Sequence, residues 1–240
     1  MPATIGRLKW DQTGERTYET GVSRGVLYVY NKTTGDWDTG VAWNGLTSVS
    51  ESPEGAETTA IYADNIKYLN LMSAEDFKGT IEAYTYPDEF QACDGSAKLS
   101  DSYAGVLVGQ QKRVKFCLCY TTKVGNDEDP EAGEKIHIVY NCLASPSERS
   151  YETVNDSPEA ITFSWEFSTT PMAVNAEGIK PTAIVTINST KFENGTANAK
   201  YIAICDKLFG KSTYEGTTET KVSDPELLTP DEIITILNAA

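Results

Sequence analysis

Along residues 161–168 the side chains run Ile, Thr, Phe, Ser, Trp, Glu, Phe, Ser, with every apolar residue at an odd number and every polar one at an even number. Successive residues of a strand point to opposite faces, so this pattern predicts a strand with one buried and one wet face, the habit of antiparallel sheets. The same alternation sets Val114, Phe116, Leu118 and Tyr120 against Lys115, Cys117, Cys119 and Thr121, and it predicts a second strand of that kind. Further strands are expected at about 25–30, 41–50, 79–86, 135–143 and 181–188. Turn chemistry separates them at Thr34-Gly35-Asp36, at Ser52-Pro53-Glu54-Gly55 and in the acidic loop Gly125-Asn126-Asp127-Glu128-Asp129-Pro130.

Helical spacing comes late in the chain. Between Ala197 and Phe209 the apolar residues Tyr201, Ile204, Cys205 and Leu208 recur as one helix face, with Thr196 as the expected cap and Gly210 just past the end. The final segment is more fully specified. Thr229-Pro230-Asp231-Glu232 combines an N-cap, a proline at the first helical position and a capping-box glutamate, while Leu228 and Ile233 occupy the two places of a hydrophobic staple. Ile233, Ile234, Ile236 and Leu237 then form an apolar stripe that needs a surface to cover, either the chain's own sheet or a neighbouring subunit. The expected fold is mainly β, a sandwich or barrel of antiparallel strands with one flanking α-helix and a short C-terminal helix. No internal repeat or convincing linker divides residues 1–240, so one domain is expected, with a polar loop or arm at about 210–228.

Composition changes the picture in two ways. Twenty basic against 35 acidic residues leave a net charge of −15. That argues against a protein that grips phosphates, since affinity for duplex DNA comes largely from Lys and Arg; it suits a mutually repelling surface, or one that DNA must pass without sticking. The 40 % hydrophobic content supports a sizeable core, and no stretch approaches the ~18 consecutive apolar residues of a membrane span. No basic-then-apolar leader opens the sequence, so a soluble product made in the cytoplasm, without a membrane anchor, is expected. The five cysteines (Cys93, Cys117, Cys119, Cys142 and Cys205) are odd in number and form no CxxC pair, and read as packed, reduced thiols.

Candidate chemistry is sparse. His137 is the only histidine, and a hydrolase would need it beside a nucleophile and an orienting carboxylate; no nucleophile-elbow pattern accompanies it, and a half-buried or exposed strand histidine is expected. The acidic run Asp127, Glu128, Asp129, Glu131 and Glu134 lacks the alternating ligands and central glycine of an EF-hand loop, and Pro130 interrupts it. Gly105–Gly109 is followed by no Gly-Lys-Ser/Thr, so it is no phosphate loop. Trp43, Trp165 and the 13 tyrosines could stack on sugars, but they equally suit strands that pack against partners. No catalytic, cofactor-binding or metal-ligating residue is nominated, and an enzyme is not expected.

Three stretches carry a family resemblance. The first is Thr20-Gly21-Val22-Ser23-Arg24-Gly25-Val26-Leu27-Tyr28 with Val41-Ala42-Trp43-Asn44-Gly45-Leu46-Thr47-Ser48-Val49. The second joins Tyr62-Ala63-Asp64-Asn65-Ile66-Lys67-Tyr68-Leu69 to Ile81-Glu82-Ala83-Tyr84-Thr85-Tyr86-Pro87-Asp88-Glu89-Phe90, and the third is Asn155-Asp156-Ser157-Pro158-Glu159-Ala160-Ile161-Thr162-Phe163-Ser164-Trp165. Over about residues 20–170 the chain resembles the major tail proteins, or tail-tube proteins, of long-tailed bacteriophages of Gram-positive hosts. The resemblance implies a fold of two packed antiparallel sheets with a helix on the flank. It implies subunits in stacked, hexameric rings whose inner walls join into a conduit for DNA ejection, working with a tape-measure protein and other tail proteins in the virion. DNA would pass without specific binding, and no catalytic residue or cofactor is carried over. Other readings are a β-rich decoration or tail-completion subunit, or a carbohydrate- or receptor-binding module.

Overall fold

The structure, a computed structural model, describes residues 10, 12–100, 102–103, 105–151, 153, 160–192, 195–215 and 218–239. Its strands are β1 (Tyr18–Asn31), β2 (Asp36–Trp37), β3 (Val41–Trp43), β4 (Leu46–Gly55), β5 (Thr58–Ala63), β6 (Ile66–Met72), β7 (Glu75–Ala83), β8 (Ala97–Lys98), β9 (Leu107–Val108), β10 (Phe116–Gly125), β11 (Gly133–Ala144), β12 (Phe163–Ser168), β13 (Ile184–Asn188), β14 (Lys211–Glu215) and β15 (Thr218–Ser223). Three α-helices join them among the described residues: α1 (Gln91–Asp94), α2 (Gly195–Leu208) and α3 (Pro230–Asn238). The protein is mainly antiparallel β, as expected.

The main sheet runs β2-β1-β10-β11-β12-β7-β4, with β13 also on β11 and β3 also on β1. It folds into two layers because β11 changes partners. Over Gly133–Val139 and at Cys142 it pairs with β10, and over Lys135–Val139 also with β13; its last residues, Leu143 and Ala144, pair with β12 instead. The crossover lies at Asn141, whose φ of 49° breaks the extended backbone there. Between the layers lies a core built from Leu27, Trp43, Ile81, Phe90, Phe116, Leu118, Val139, Trp165 and Phe167. Its aromatic rings meet edge to face, Phe90 on Trp165 at 5.1 Å and Trp43 on Trp165 at 5.7 Å, the arrangement favoured by the ring quadrupole. Trp43 also donates its indole N–H to the carbonyl of Thr85 at 2.9 Å.

A second core lies on the other side of β1, β10 and β11. Val26, Tyr28, Cys117, Cys119, Ile136, Ile138 and Tyr140 meet Tyr201, Ile204 and Leu208 of α2 and Ile233 of α3. Two buried tyrosines fix these helices to the sheet: the Tyr28 hydroxyl donates to the Leu208 carbonyl at 2.5 Å, and that of Tyr140 to the Leu228 carbonyl at 2.8 Å. The first of these satisfies a carbonyl that the end of α2 would otherwise leave without a partner. Gly210, at φ 74°, closes α2 in the left-handed conformation. Thr196, the expected cap, instead lies inside α2, which begins at Gly195. At α3 the capping box between Thr229 and Glu232 is complete; Leu228 and Ile233 are buried and Ile236 half-buried against the second core, while Leu237 of the same stripe is exposed.

The second core also corrects the reading of β10. Its even residues Phe116, Leu118 and Tyr120 enter the first core, but Cys117, Cys119 and Thr121 are buried as well, so neither face is wet over that length. Alternation in β12 holds: Trp165 and Phe167 are buried, Glu166 and Ser168 exposed, while Ile161 and Thr162 precede the strand. The expected strand at 41–50 is broken at Asn44-Gly45, where Gly45 has φ 77°. Ser52-Pro53-Glu54-Gly55 is not a turn but the end of β4, an edge strand on which a proline costs no ladder bond. The expected loop at 210–228 contains the β14–β15 hairpin. Asn155-Asp156-Ser157-Pro158-Glu159, part of the third family-like stretch, lies outside the described residues.

Candidate functional site

Three features of the described residues bear on function. The first is the outer face of β4, β7 and β12. Directly paired residues of adjacent strands share a face. The pairs Ser48–Glu82, Ser50–Thr80, Ser52–Lys78 and Glu54–Asp76, followed by Ser164–Glu82, Glu166–Thr80 and Ser168–Lys78, therefore define one polar surface opposite Trp165 and Ile81. Among the described residues, the carboxylates Glu54, Asp76, Glu82 and Glu166 of these strands stand there with Lys78, which is itself 2.5 Å from Glu54. Among the described residues no helix covers this face, whereas α2 and α3 cover the far side of the other layer.

The second feature is the β5–β6 hairpin. Asp64 and Asn65 both have positive φ (52° and 64°), the backbone of a type I′ turn, whose twist matches that of the flanking strands. The hairpin leaves Tyr62, Ile66, Tyr68 and Met72 each more than three-fifths exposed, and Ile61, Leu69 and Leu71 exposed too. Residues of both its faces are uncovered, although a lone two-stranded hairpin is marginal in water. Such a concentration of solvated apolar side chains marks a contact surface.

The third feature surrounds His137, which is buried rather than half-buried or exposed. Its ring stacks on Tyr120 with centroids 4.7 Å apart and planes parallel. Nε2 lies 3.1 Å from the Thr122 hydroxyl, and Nδ1 lies 3.3 Å from Oε1 of Glu51, within ion-pair distance though out of line for a hydrogen bond. Glu51 also accepts the Tyr120 hydroxyl at 2.5 Å. The His137 ring holds the Glu51 carboxyl below its ordinary value of 4.5, with Tyr120 adding to this and partial burial opposing it. Burial, with the carboxylate second, drives the Tyr120 hydroxyl far above its ordinary range. Carboxylate, imidazole and hydroxyl stand in the order of a hydrolytic triad, but the hydroxyl is a threonine in mid-strand. Cavities of about 740 Å³ beside Gly14, Val124 and Thr190 and of about 540 Å³ between Arg24, Trp43 and Phe209 are lined by other residues. The cluster joins strands of the two layers.

The remaining nominated groups are engaged structurally. In the acidic loop, Asn126 accepts the amides of Glu128 and Asp129, Asp127 accepts the Gly14 amide at 2.8 Å, and Glu131 pairs with Lys123. Glu134 pairs with Arg24 at 2.6 Å and accepts the Tyr201 hydroxyl. Among the described residues no group of His, Cys, Asp and Glu is arranged to hold a metal ion. The five cysteines are free thiols; Cys93, Cys117, Cys119 and Cys142 are buried, and burial pushes the Cys93 thiol up to about 12. Trp43 and Trp165 are core residues and offer no stacking platform. No helix of the described residues is long and apolar enough to cross a membrane.

No family model matches the chain, and no curated protein does. Solved structures similar to it include the sheath–tube complex of an extracellular contractile injection system (PVC) in the extended state, at 12 % identity over 69 % of this chain and 88 % of that one, with a TM-score of 0.28. The baseplate of the anti-feeding prophage (AFP) is similar at 8 % identity over 68 % and 92 %, with a TM-score of 0.31. The PVC sheath/tube terminator in the extended state is similar at 11 % identity over 71 % and 97 %, with a TM-score of 0.29.

The hairpin and the inter-sheet cluster escaped sequence reasoning for different reasons. Asp64-Asn65 between two β-prone runs is a two-residue hairpin signal that could have been read. Nothing local joins Glu51 to His137.

Proposed function

We propose that this chain is a non-enzymatic structural subunit of a phage-type tail, the tail-tube protein, in which one assembling domain stacks as rings into the conduit for DNA. The observation that carries this reading is the β5–β6 hairpin. A soluble subunit that exposes seven large apolar side chains on one hairpin is built to bury them against another chain. The family resemblance over about residues 20–170 names the assembly, and a two-layer antiparallel fold with a helical flank is what that resemblance implies. The rings are hexameric in this reading, and they meet a tape-measure protein and other tail proteins in the virion.

The bore is assigned to the bare face of β4, β7 and β12, because helices back the opposite layer. Its carboxylate excess keeps phosphates from sticking, and six copies of a chain carrying −15 bring about −90 to each ring. With a Debye length of about 8 Å at physiological salt, this repulsion acts only near the wall, enough to prevent the serial phosphate contacts that would stall a moving duplex. The burial of Trp43 and Trp165 withdraws both tryptophans from a sugar-binding reading, which would then rest on exposed tyrosines.

Electron microscopy of the purified protein tests the reading: long uniform tubes are expected, whereas isolated trimers with sugar affinity would overturn it. Tyr68→Asp with Leu71→Asp should abolish tubes while leaving the circular dichroism of the subunit unchanged. Glu166→Lys with Glu82→Lys should leave tubes intact and slow or block DNA delivery. A net basic lumen in an assembled tube would end the bore assignment alone.

A further inference from the structure

We propose that the lobe built around β8 and β9 is the acceptor on which the β5–β6 hairpin of a second copy of this chain docks. The inference rests on reading that hairpin as an assembly arm, and it names what the arm meets. Residues 95–115 hold Lys98, Lys112, Arg113 and Lys115, one fifth of the chain's 20 cations, and of its 35 acids only Asp101, which lies outside the described residues. The lobe consists of a separate two-stranded sheet, β8 on β9, and a return segment whose amides at Gln111 and Val114 donate to the carbonyls of Gly95 and Ala92. Lys98, Lys112 and Lys115 are exposed, and among the described residues none of the four cations has an ion-pair partner. The carboxylates at the root of the lobe are engaged, Asp94 with Arg149 and Asp88 with the Gln91 side chain. Lys98 stands next to Leu99 and opposite Leu107 in the ladder, and both of these, with Tyr103 and Val106, are exposed apolar residues.

An unpaired basic cluster with an apolar shoulder, in a chain of net charge −15, fits a partner that is both acidic and apolar. The arm has that chemistry. Residues 57–75 carry Glu57, Asp64 and Glu75 against Lys67 alone, around the exposed Tyr62, Ile66, Tyr68 and Met72. Both patches are exposed in the single chain, so neither covers the other there. Arm on arm would set acid against acid and close as a pair. Arm on lobe leaves a free arm at one end and a free lobe at the other, the head-to-tail contact from which rings and filaments grow. The apolar shoulder separates the lobe from a nucleic-acid site, where affinity comes from cations facing phosphates.

A pair of full-length variants, each with one half of the contact disabled, tests this. Tyr68→Asp with Leu71→Asp keeps the lobe, and Lys98→Glu with Lys112→Glu keeps the arm. In sedimentation velocity each variant alone should stay a monomer, and an equal mixture should give a one-to-one heterodimer that grows no further. Raising the salt from about 0.1 M to about 0.5 M should weaken that heterodimer about tenfold, because its charges sit at an exposed rim. A lobe variant that assembles as the parent does, a mixture that stays monomeric, or a heterodimer indifferent to salt would each overturn the acceptor. The parent chain supplies a check that needs no variant to fold. Carbodiimide, which joins amines to carboxylates in direct contact, should link Lys98, Lys112 or Lys115 of one copy to Glu57, Asp64 or Glu75 of another in a mixture of isotope-labelled and unlabelled chains. Inter-chain links confined to other residues, or none at all, would count against the acceptor equally. If the parent and the lobe variant both form tubes, the acceptor falls and the tail-tube reading stands. If heterodimers form but the parent gives no tubes, the acceptor stands and the tail-tube reading falls.

Discussion

Strands β10 and β12 carry the same alternating pattern and meet opposite fates. In β12 the polar residues Glu166 and Ser168 are exposed, and the outer face of its layer is bare. In β10 the residues that read as polar are buried too: Cys117 and Cys119 lie in the core under α2 and α3, and Thr121 is bonded to Ser23 of β1. What separates the two is what the rest of the chain lays over them. Cysteine is decisive here, since it counts as polar in an alternation yet behaves as a small hydrophobe when packed. A pattern of period two therefore establishes which residues share a face, but not how many faces are covered.

The largest expected effect lies on the face the two strands have in common. Trp165→Ala removes the largest fully buried side chain and should cost about 3–5 kcal/mol in chemical denaturation; Phe163→Ala, at a half-buried position, should cost less. The next effect separates the strands. Cys119→Ser places an unpartnered hydroxyl in the second core and should cost about 1–3 kcal/mol. A null result there would mean that the second core is loosely packed.

A smaller effect comes from the tie between the layers. The carboxyl of Glu51 is held below its ordinary value of 4.5, chiefly by His137, so the group contributes stability above that value and loses it as pH falls through the lowered folded one. The melting difference between the parent and Glu51→Gln should accordingly shrink as pH falls from about 6 to about 3. If it grew instead, the direction assigned to Glu51 would be reversed. The smallest effect is at Ser164, whose side lies on the bare face: Ser164→Ala should change stability by no more than about 0.5 kcal/mol. A loss comparable to that of Cys119→Ser would show that this face is covered and would undo the contrast between the strands.

How much of this was legible in the sequence follows physical range. The capping box and staple at 228–233 depend on neighbours within one helical turn, and they read correctly from the chain alone. The strands at 135–143 and 163–168 read from alternation, which needs only the pleat. The turn misassigned at Ser52–Gly55 shows the limit: its residues favour turns, but pairing with β7 over the whole length of β4 holds them extended. Placement of α2 and α3 over β10, and of Glu51 beside His137, depends on contacts between distant segments that leave no periodic trace. The positive φ at Asp64 and Asn65 was within reach, because two turn-forming residues between β-prone runs are a local signal.

The passage of β11 from one layer to the other also bears on mechanics. Because a single strand belongs to both layers, a pull on β12 reaches β10 through the continuous covalent backbone at Asn141, and not only through side chains in the core. Sliding one layer over the other would require that backbone to stretch, so shear between the layers meets covalent resistance on this side. On the opposite side the backbone crosses as well, at Asn44-Gly45, where β3 on β1 runs into β4 on β7. The two layers are thus joined by covalent chain at both seams, with the Glu51 contacts added beside the second. Shear between them meets backbone on either side, and the sandwich resists a sliding force from both edges.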